Sequence, residues 1–198
     1  ERAAAAAKTL IRIASGQHLD PGPRVSALEA LAASRERSAA LPTMAEILRR
    51  PEDPADVRMA ALDGLIEARH SAELLAVDPA NDAEALRLAE ALGSLDGAAQ
   101  GRLRELLVFP SGRVRAAAAT SLGRVGDVAS LGALHGLAED GLLKSAEARA
   151  AEEAMARIKA REGASQDGEV SVVAVRPLDG AVSPVDADDD GGEVTLTS

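Results

Sequence analysis

Five stretches of the chain share one spacing of large apolar, small and polar residues. They align without gaps from Pro23, Val57, Glu84, Val114 and Glu147. The ninth residue of each stretch is large and apolar, at Leu31, Leu65, Leu92, Leu122 and Met155. The fifth is mostly small, at Ala27, Ala61, Leu88, Ala118 and Ala151. Residues four apart lie on one side of an α-helix, and small residues there permit close packing. The pattern therefore predicts five helices, each packed against a neighbour.

Shorter apolar stretches lie between these five segments, at residues 10–13, 44–48, 74–75, 103–107 and 131–137. Successive ninth residues of the main segments are 34, 27, 30 and 33 positions apart, which is the range of two-helix repeats. Turn and cap residues separate the stretches, as in "PEDPAD" from Pro51 and "DPANDA" from Asp78. The sequence predicts an all-α fold over residues 1–162, a superhelix of about five helix pairs that bury their apolar stripes by stacking.

Composition limits both the core and the partner. Aromatic residues make up 1% of the chain, so the core must consist almost wholly of Leu, Val, Ile and Ala. The absence of cysteine excludes disulfides and thiolate metal sites and fits a reducing compartment. Because the sequence shows no signal or transmembrane segment, we expect a cytoplasmic location. The formal net charge of −10 argues against nucleic acid as a ligand. No stretch has the ~18 apolar residues of a membrane span, so we expect no membrane insertion. Because the first residue is Glu1 rather than Met, we expect a fragment or a processed chain.

The helical period ends near residue 163, where Gly, Asp, Ser and Val become frequent. Residues 163–198 hold eight Asp or Glu against one basic residue, whereas the preceding part holds 24 and 21. A twelve-residue repeat follows, with "GEVSVV" at Gly168, "GAVSPV" at Gly180 and "GEVTLT" at Gly192. Its alternation permits a small three-stranded meander. Because apolar residues are few, we favour a mostly disordered acidic tail that carries short binding motifs. A solubilising low-complexity end is the other interpretation.

The two clearest copies of the long repeat are "DPADVRMAALDGL" from Asp53 and "GRVRAAAATSLGRVGD" from Gly112. They resemble HEAT repeats, in particular the bacterial subgroup of PBS-lyase HEAT-like repeats, whose second helix reads D-x-x-V-R-x-x-A-x-x-A-L. The other copies depart from this pattern, since Pro23 and Glu147 replace the Val and Ala85 and Ala148 replace the Arg. The resemblance covers residues 2–160. It implies an armadillo-like α-superhelix used for protein binding, and it specifies architecture better than activity.

Arg24, Arg58 and Arg115 occupy the same position of three copies. A row of arginines is one form of binding site for a phosphate or carboxylate ligand. The resemblance implies a structural role instead, in which this Arg and a nearby Asp tie adjacent repeats together. Asp20, Asp53 and Asp56 lie within reach in the sequence, and we favour the structural role for all three arginines.

The seventh residues of four copies are acidic, at Glu29, Asp63, Glu90 and Glu153, and the remaining copy has Thr120. These residues lie outside the apolar stripe. The resemblance implies that second helices line a concave groove, so the four carboxylates are candidates for contact with a basic protein partner. A solvated helix face is the plainer explanation of the same charges.

No catalytic residue, metal site or cofactor is predicted. His18, His70 and His135 are isolated, whereas the HEAT-like deoxyhypusine hydroxylases hold iron with paired His-Glu motifs. HEAT-like DNA glycosylases use basic faces and aromatic side chains that hold a nucleobase, whereas this chain is acidic and has a single aromatic residue, Phe109. Chromophore lyases built as plain HEAT solenoids have no signature that would separate them from this chain.

The sequence therefore predicts a non-catalytic protein–protein interaction or scaffolding module, which binds its partner through the groove, the acidic tail or both. Two alternatives stay open. One is a HEAT-like enzyme or chromophore-lyase-type protein, and the other is a structural spacer or regulatory segment of a larger polypeptide.

Overall fold

The computed structural model describes residues 2–95, 97–139 and 145–170, with side chains described through residue 164. Within these residues the chain forms ten α-helices, two 3-10 turns and no β-strand, which confirms the all-α prediction for this part of the chain. The helices are α1 (Arg2–Ser15), α2 (Pro21–Ala32), α3 (Arg37–Leu48), α4 (Ala55–Glu67), α5 (Ser71–Ala76), α6 (Asp82–Leu92), α7 (Gln100–Leu106), α8 (Gly112–Val125), α9 (Leu131–Glu139) and α10 (Ala146–Val170). None of these helices is both long enough and apolar enough to cross a membrane.

Each odd-numbered helix packs against the helix that follows it. We call the odd-numbered members first helices and the even-numbered members second helices. The second helices also contact one another in chain order, from α2 to α10. Within this row, α4 and α6 pack less closely than the other neighbours do. The pair of α5 and α6 also has the shortest first helix. Helix α5 ends where Val77 adopts an extended backbone, shortly before Pro79.

The core follows the register of the repeat. The fifth residue of every copy is buried, and so is the ninth in the first four copies, while Met155 is half-buried. Leucines at these positions belong to the same apolar core as leucines of the first helices, such as Leu74 and Leu103, which are almost fully buried. A core of Leu and Ala results, because large residues of one helix fill the space above small residues of the next.

Small residues allow the closest helix approach at α8 and α10. A Cβ atom on Gly123 would lie 3.0 Å from the Cα of Ala154 and 3.1 Å from its Cβ. Such a distance is tighter than ordinary van der Waals contact, so the two backbones meet here with almost no side chain between them. The glycine at position 123 thus sets the spacing of the last two second helices.

A single non-glycine residue of the described part, Arg69, has a positive φ, of 51°. It follows the end of α4 in a Schellman arrangement. The His70 N–H donates to the carbonyl of Leu65 over 3.2 Å, and the Arg69 N–H donates to that of Ile66 over 3.0 Å. Glycine favours this backbone conformation because it has no Cβ, so the chain carries local strain at Arg69.

We expect Arg69→Gly to raise the free energy of unfolding by about 0.5–1 kcal/mol, because relief of the strained backbone outweighs the greater freedom of glycine in the unfolded chain. Urea denaturation measures the change. Lys8→Gly, at an exposed position inside α1, is the matched control and should cost about 1 kcal/mol. Equal losses at both sites would contradict the role assigned to the backbone of Arg69.

The last helix is longer than its sequence pattern predicts. The pattern loses its helical period near residue 163, yet the backbone of α10 remains helical through Val170. A helix that is already nucleated extends at little cost, and α10 enters this stretch through alanines and charged residues of high helix propensity. The first twelve-residue motif starts inside this helix, at Gly168. The rest of the tail, with its predicted strands or disorder, lies outside the described residues.

Candidate partner-binding surface

The second helices present a common stripe of exposed residues. Counted from the first residue of each nine-residue segment, the stripe comprises the preceding residue and the fourth, seventh and eleventh residues. The helical repeat places these four positions on one side of the helix. We call the sum of these stripes the second-helix face. The four acidic candidates belong to it. Glu29, Glu90 and Glu153 are exposed, and Asp63 is partly exposed.

Contacts between neighbouring helices show that their stripes share one side of the molecule. The Nε of Arg87 on α6 lies 2.7 Å from Oδ1 of Asp63 on α4, and its Nη1 lies 4.0 Å from Oε2 of Glu90. Farther along, Glu90 of α6 and Thr120 and Arg124 of α8 line one shallow groove. Three adjacent second helices therefore contribute to a continuous surface.

The charge of this surface changes sign along the row. On α2, α4 and α6 the stripe has five carboxylates and one arginine: Glu29, Asp56, Asp63, Glu67, Glu90 and Arg87. On α8 and α10 it has three arginines and one carboxylate: Arg113, Arg124, Arg157 and Glu153. We call these parts the acidic half and the arginine half. The four acidic candidates are thus not one uninterrupted row, because Glu153 stands among arginines and forms an ion pair with Arg157 over 3.3 Å.

A buried ion pair joins α4 to the start of α6. The guanidinium of Arg58 donates two parallel hydrogen bonds to Glu84, from Nε to Oε1 over 2.9 Å and from Nη2 to Oε2 over 2.8 Å. Its Nη1 also donates to the carbonyls of Leu48 and Arg50, each over 2.8 Å, at the end of α3. Both charged side chains are almost wholly buried. Arg58 therefore connects three helices at the junction where the second helices pack least closely.

Arg24 and Arg115 make related contacts at other junctions. Nη2 of Arg24 lies 2.7 Å from Oδ1 of Asp53, although its N–H bonds do not point along that line, so the contact is ionic rather than an aligned hydrogen bond. Its Nε donates to the carbonyl of Ala14 over 3.0 Å. Nη2 of Arg115 donates to Oε1 of Glu147 over 2.8 Å. Each arginine thus contacts a carboxylate of the following helix pair.

The carboxylate partners differ from most of those suggested by the sequence. Asp53 is the partner of Arg24, but neither Asp20 nor Asp56 is the partner of any of the three arginines. Asp56 instead accepts a hydrogen bond from the backbone N–H of Val57 over 2.9 Å, at the start of α4. This local hydrogen bond to the backbone occupies the carboxylate of Asp56 at the start of its helix.

Sequence reasoning missed Glu84 and Glu147 as partners. Both are the first residue of a copy that has alanine instead of arginine at the next position, and each follows a copy that has the arginine. This alternation is the signal that could have found them. The sequence interpretation treated Glu147 only as a departure from the valine of the consensus, and it did not consider Glu84 as a partner.

The two glutamates are held in their ionised form. Burial disfavours the charge on Glu84, but hydrogen bonds from Arg58, the Ala80 N–H and Asn81 outweigh it and lower the pKa below its usual 4.5. The pKa of Glu147 is lowered too, by its own backbone N–H and by Arg115. Because both pKa values are lower in the folded state, the two contacts stabilise the fold above the unfolded value and lose this contribution as pH falls through the folded value.

We therefore expect the free energy of unfolding to decline steadily as pH falls below about 4.5. The measurement is the urea midpoint of the chain from pH 7 to pH 3. Glu84→Gln should be less stable than the parent chain at pH 7, and the difference should shrink with acidification. A constant difference across this range would contradict the ionised state of Glu84.

The described residues offer little chemistry beyond these contacts. Within them, no group of three or more His, Asp or Glu residues is placed to hold a metal ion. His18 is exposed, and Nε2 of His135 lies 3.3 Å from Oε1 of Glu139 on the surface of α9. His70 lies between α4 and α5 with its Nδ1 atom buried. The three histidines are on separate parts of the fold.

No protein-family model matches this chain, and no curated protein matches its sequence.

Proposed function

We propose that this chain is a HEAT-like α-solenoid that acts as a non-catalytic protein-binding or scaffolding module. Ten helices in consecutive pairs, with second helices in contact in chain order, support the architecture. The repeated arginine contacts support it as well, because each ties one pair to the next. A stack of this kind offers an extended surface that grows with the number of repeats.

The observation that carries the binding proposal is the acidic half of the second-helix face. It holds five carboxylates on three adjacent helices, and Arg87 is the one basic side chain of the stripe among them. Opposite charge on a partner would steer association and set its orientation. We therefore propose a protein partner with a basic segment, aligned along α2, α4 and α6.

The arginine half limits how that partner can be arranged. A uniformly basic surface would be attracted at the acidic half and repelled at Arg113 and Arg124. The basic segment should therefore contact the acidic half, while the part of the partner over α8 is neutral or acidic. Glu153 lies on α10 in the arginine half, away from this basic segment, and therefore contributes less to this partner than the other three acidic candidates do.

The test is to capture the partner with the full chain and then measure binding to the purified partner. Lysine replacements of Glu29, Asp63 and Glu90 should weaken binding by about tenfold or more and slow association. Raising the salt concentration through ~0.15 M should slow association of the unaltered chain as well, because it screens these charges.

The matched control is three charge reversals on first helices, at Glu46, Glu105 and Glu139, all exposed. They change the net charge equally but leave the second-helix face intact. Glu153→Lys should have a smaller effect than any single reversal in the acidic half. Equal and small effects from both sets would reject this surface and leave a spacer as the better description.

A further inference from the structure

We propose that the arginine half of the second-helix face binds the chain's own acidic segment at residues 186–190. This inference rests on the proposed function in one respect, that the second-helix face is a binding surface. It also says which segment binds to the arginine half, the part of the face that repels a basic partner.

The docking site lies where α8 ends beside α10. A Cβ atom on Gly123 would be 3.6 Å from Cδ of Arg157, so the Arg157 side chain crosses the last turn of α8. Arg124 is exposed on that same turn, where its Nη2 donates to Oγ of Ser121 over 3.0 Å. Arg161 donates to the carbonyls of Gly123 and Arg124 over 3.3 and 3.2 Å. Three guanidinium groups therefore surround one helix end.

Carboxylates balance this positive charge only in part. Helix α8 has no acidic residue of its own, since Thr120 stands at the position that is acidic in the other copies, although Glu147 of α10 is paired with Arg115. Two carboxylates lie near the docking site: Glu90 lines a groove with Arg124, and Glu153 is paired with Arg157. The contact of Glu153 with Arg157 is between side chains that are 67% and 51% exposed, so water and salt weaken it. A segment with several carboxylates can displace one such partner.

The acidic segment has the complementary charge. Residues 186–190 read "DADDD" and carry four carboxylates with no basic residue among them. Guanidinium groups form paired hydrogen bonds with carboxylates, which favours this match over a neutral peptide.

The length of the connection permits the contact. Arg157 lies thirteen residues before the end of α10 at Val170, a distance of about 20 Å along the helix. Sixteen residues lead from residue 171 to Asp186 and span at most roughly 55 Å. The tail can thus return along α10 to Arg157 and Arg124. Its covalent link gives an effective concentration on the order of millimolar. The acidic half of a second copy, at micromolar concentration, competes poorly with it.

Because the chain has no cysteine, one spin label can be placed without side reactions. We would attach a nitroxide at Gly191→Cys in the full chain and record amide signals by NMR. Signals of Arg124 and Arg157 should be at least about twofold weaker than in the same labelled chain with Asp186, Asp188, Asp189 and Asp190 changed to Asn. Signals of Glu29 and Asp63 should not differ between the two chains.

The neutralised tail is the matched control, because it has the same length and the same tether. Arg124→Gln with Arg157→Gln should restore the signals as the neutral tail does. Glu153→Gln should deepen the loss, since it removes the competing carboxylate.

Equal broadening with acidic and neutralised tails would overturn the proposal, since proximity alone would then explain it. Broadening found only in a mixture of labelled and isotope-enriched copies would also overturn it, in favour of a second copy. The experiment contains no partner, so its failure leaves the proposed function intact. Loss of partner binding to the acidic half would in turn leave the tail contact intact.

Discussion

Arg58→Met should lower the free energy of unfolding by about 3–5 kcal/mol, because it leaves the carboxylate of Glu84 buried without its main counter-charge. It also removes the donor that serves the carbonyls of Leu48 and Arg50 at the end of α3. Urea denaturation followed by circular dichroism measures the change. Arg87→Met is the matched control, because its pair with Asp63 is nearly half exposed and should contribute less than about 1 kcal/mol.

A double replacement separates the loss of the ion pair from the cost of burying one charge without its partner. In Arg58→Met with Glu84→Met, no charge remains buried at this junction, and much of the lost stability should return. Additive losses in the double variant would show that the two residues act independently, against the bidentate contact.

The second large effect is expected in the core. Leu65→Ala and Leu122→Ala should each lower the free energy of unfolding by about 2–5 kcal/mol, since both leucines are fully buried at the ninth position of their copies. Each replacement leaves a cavity inside the apolar core, so its cost includes lost packing as well as lost burial. Chemical denaturation at one pH gives both values.

Val108→Ala is the control for these core replacements, because Val108 is 84% exposed at the end of α7. It should change the free energy of unfolding by less than about 0.5 kcal/mol. Losses this small at both leucines would contradict the repeat register.

The sequence was sufficient to predict what depends on local periodicity. The segment ending at Leu92 predicted α6, and the alternation of Leu and Ala predicted which positions are buried. Both predictions are possible because residues at a regular spacing along a helix lie on one face. The short α5 was also visible, as two leucines followed by "DPANDA". Local signals of this kind need no knowledge of neighbouring pairs.

Other features depend on how pairs meet and were not predicted. The partners of Arg58 and Arg115 lie 26 and 32 residues away, so their choice follows from the stacking of helices rather than from spacing along one helix. The sign change of the second-helix face was missed because the seventh residue alone was considered. Arg113, Arg124 and Arg157 occupy the other positions of the same stripe. The extension of α10 to Val170 reflects propagation from a packed helix, which composition alone does not reveal.

The arginine contacts give the repeats a direction and a rule for rearrangement. A helix pair whose second helix carries the arginine donor must be followed by a pair that supplies a carboxylate acceptor. Otherwise a buried charge has no counter-charge. The pair formed by α3 and α4 supplies both, with Asp53 as acceptor and Arg58 as donor. The pair of α5 and α6 has Glu84 as acceptor but Ala85 at the donor position. Tandem duplication of residues 35–69 would therefore pair both buried charges that it introduces, those of Asp53 and Arg58. Deletion of the α5–α6 pair would instead leave Arg58 facing Val114, which has no carboxylate.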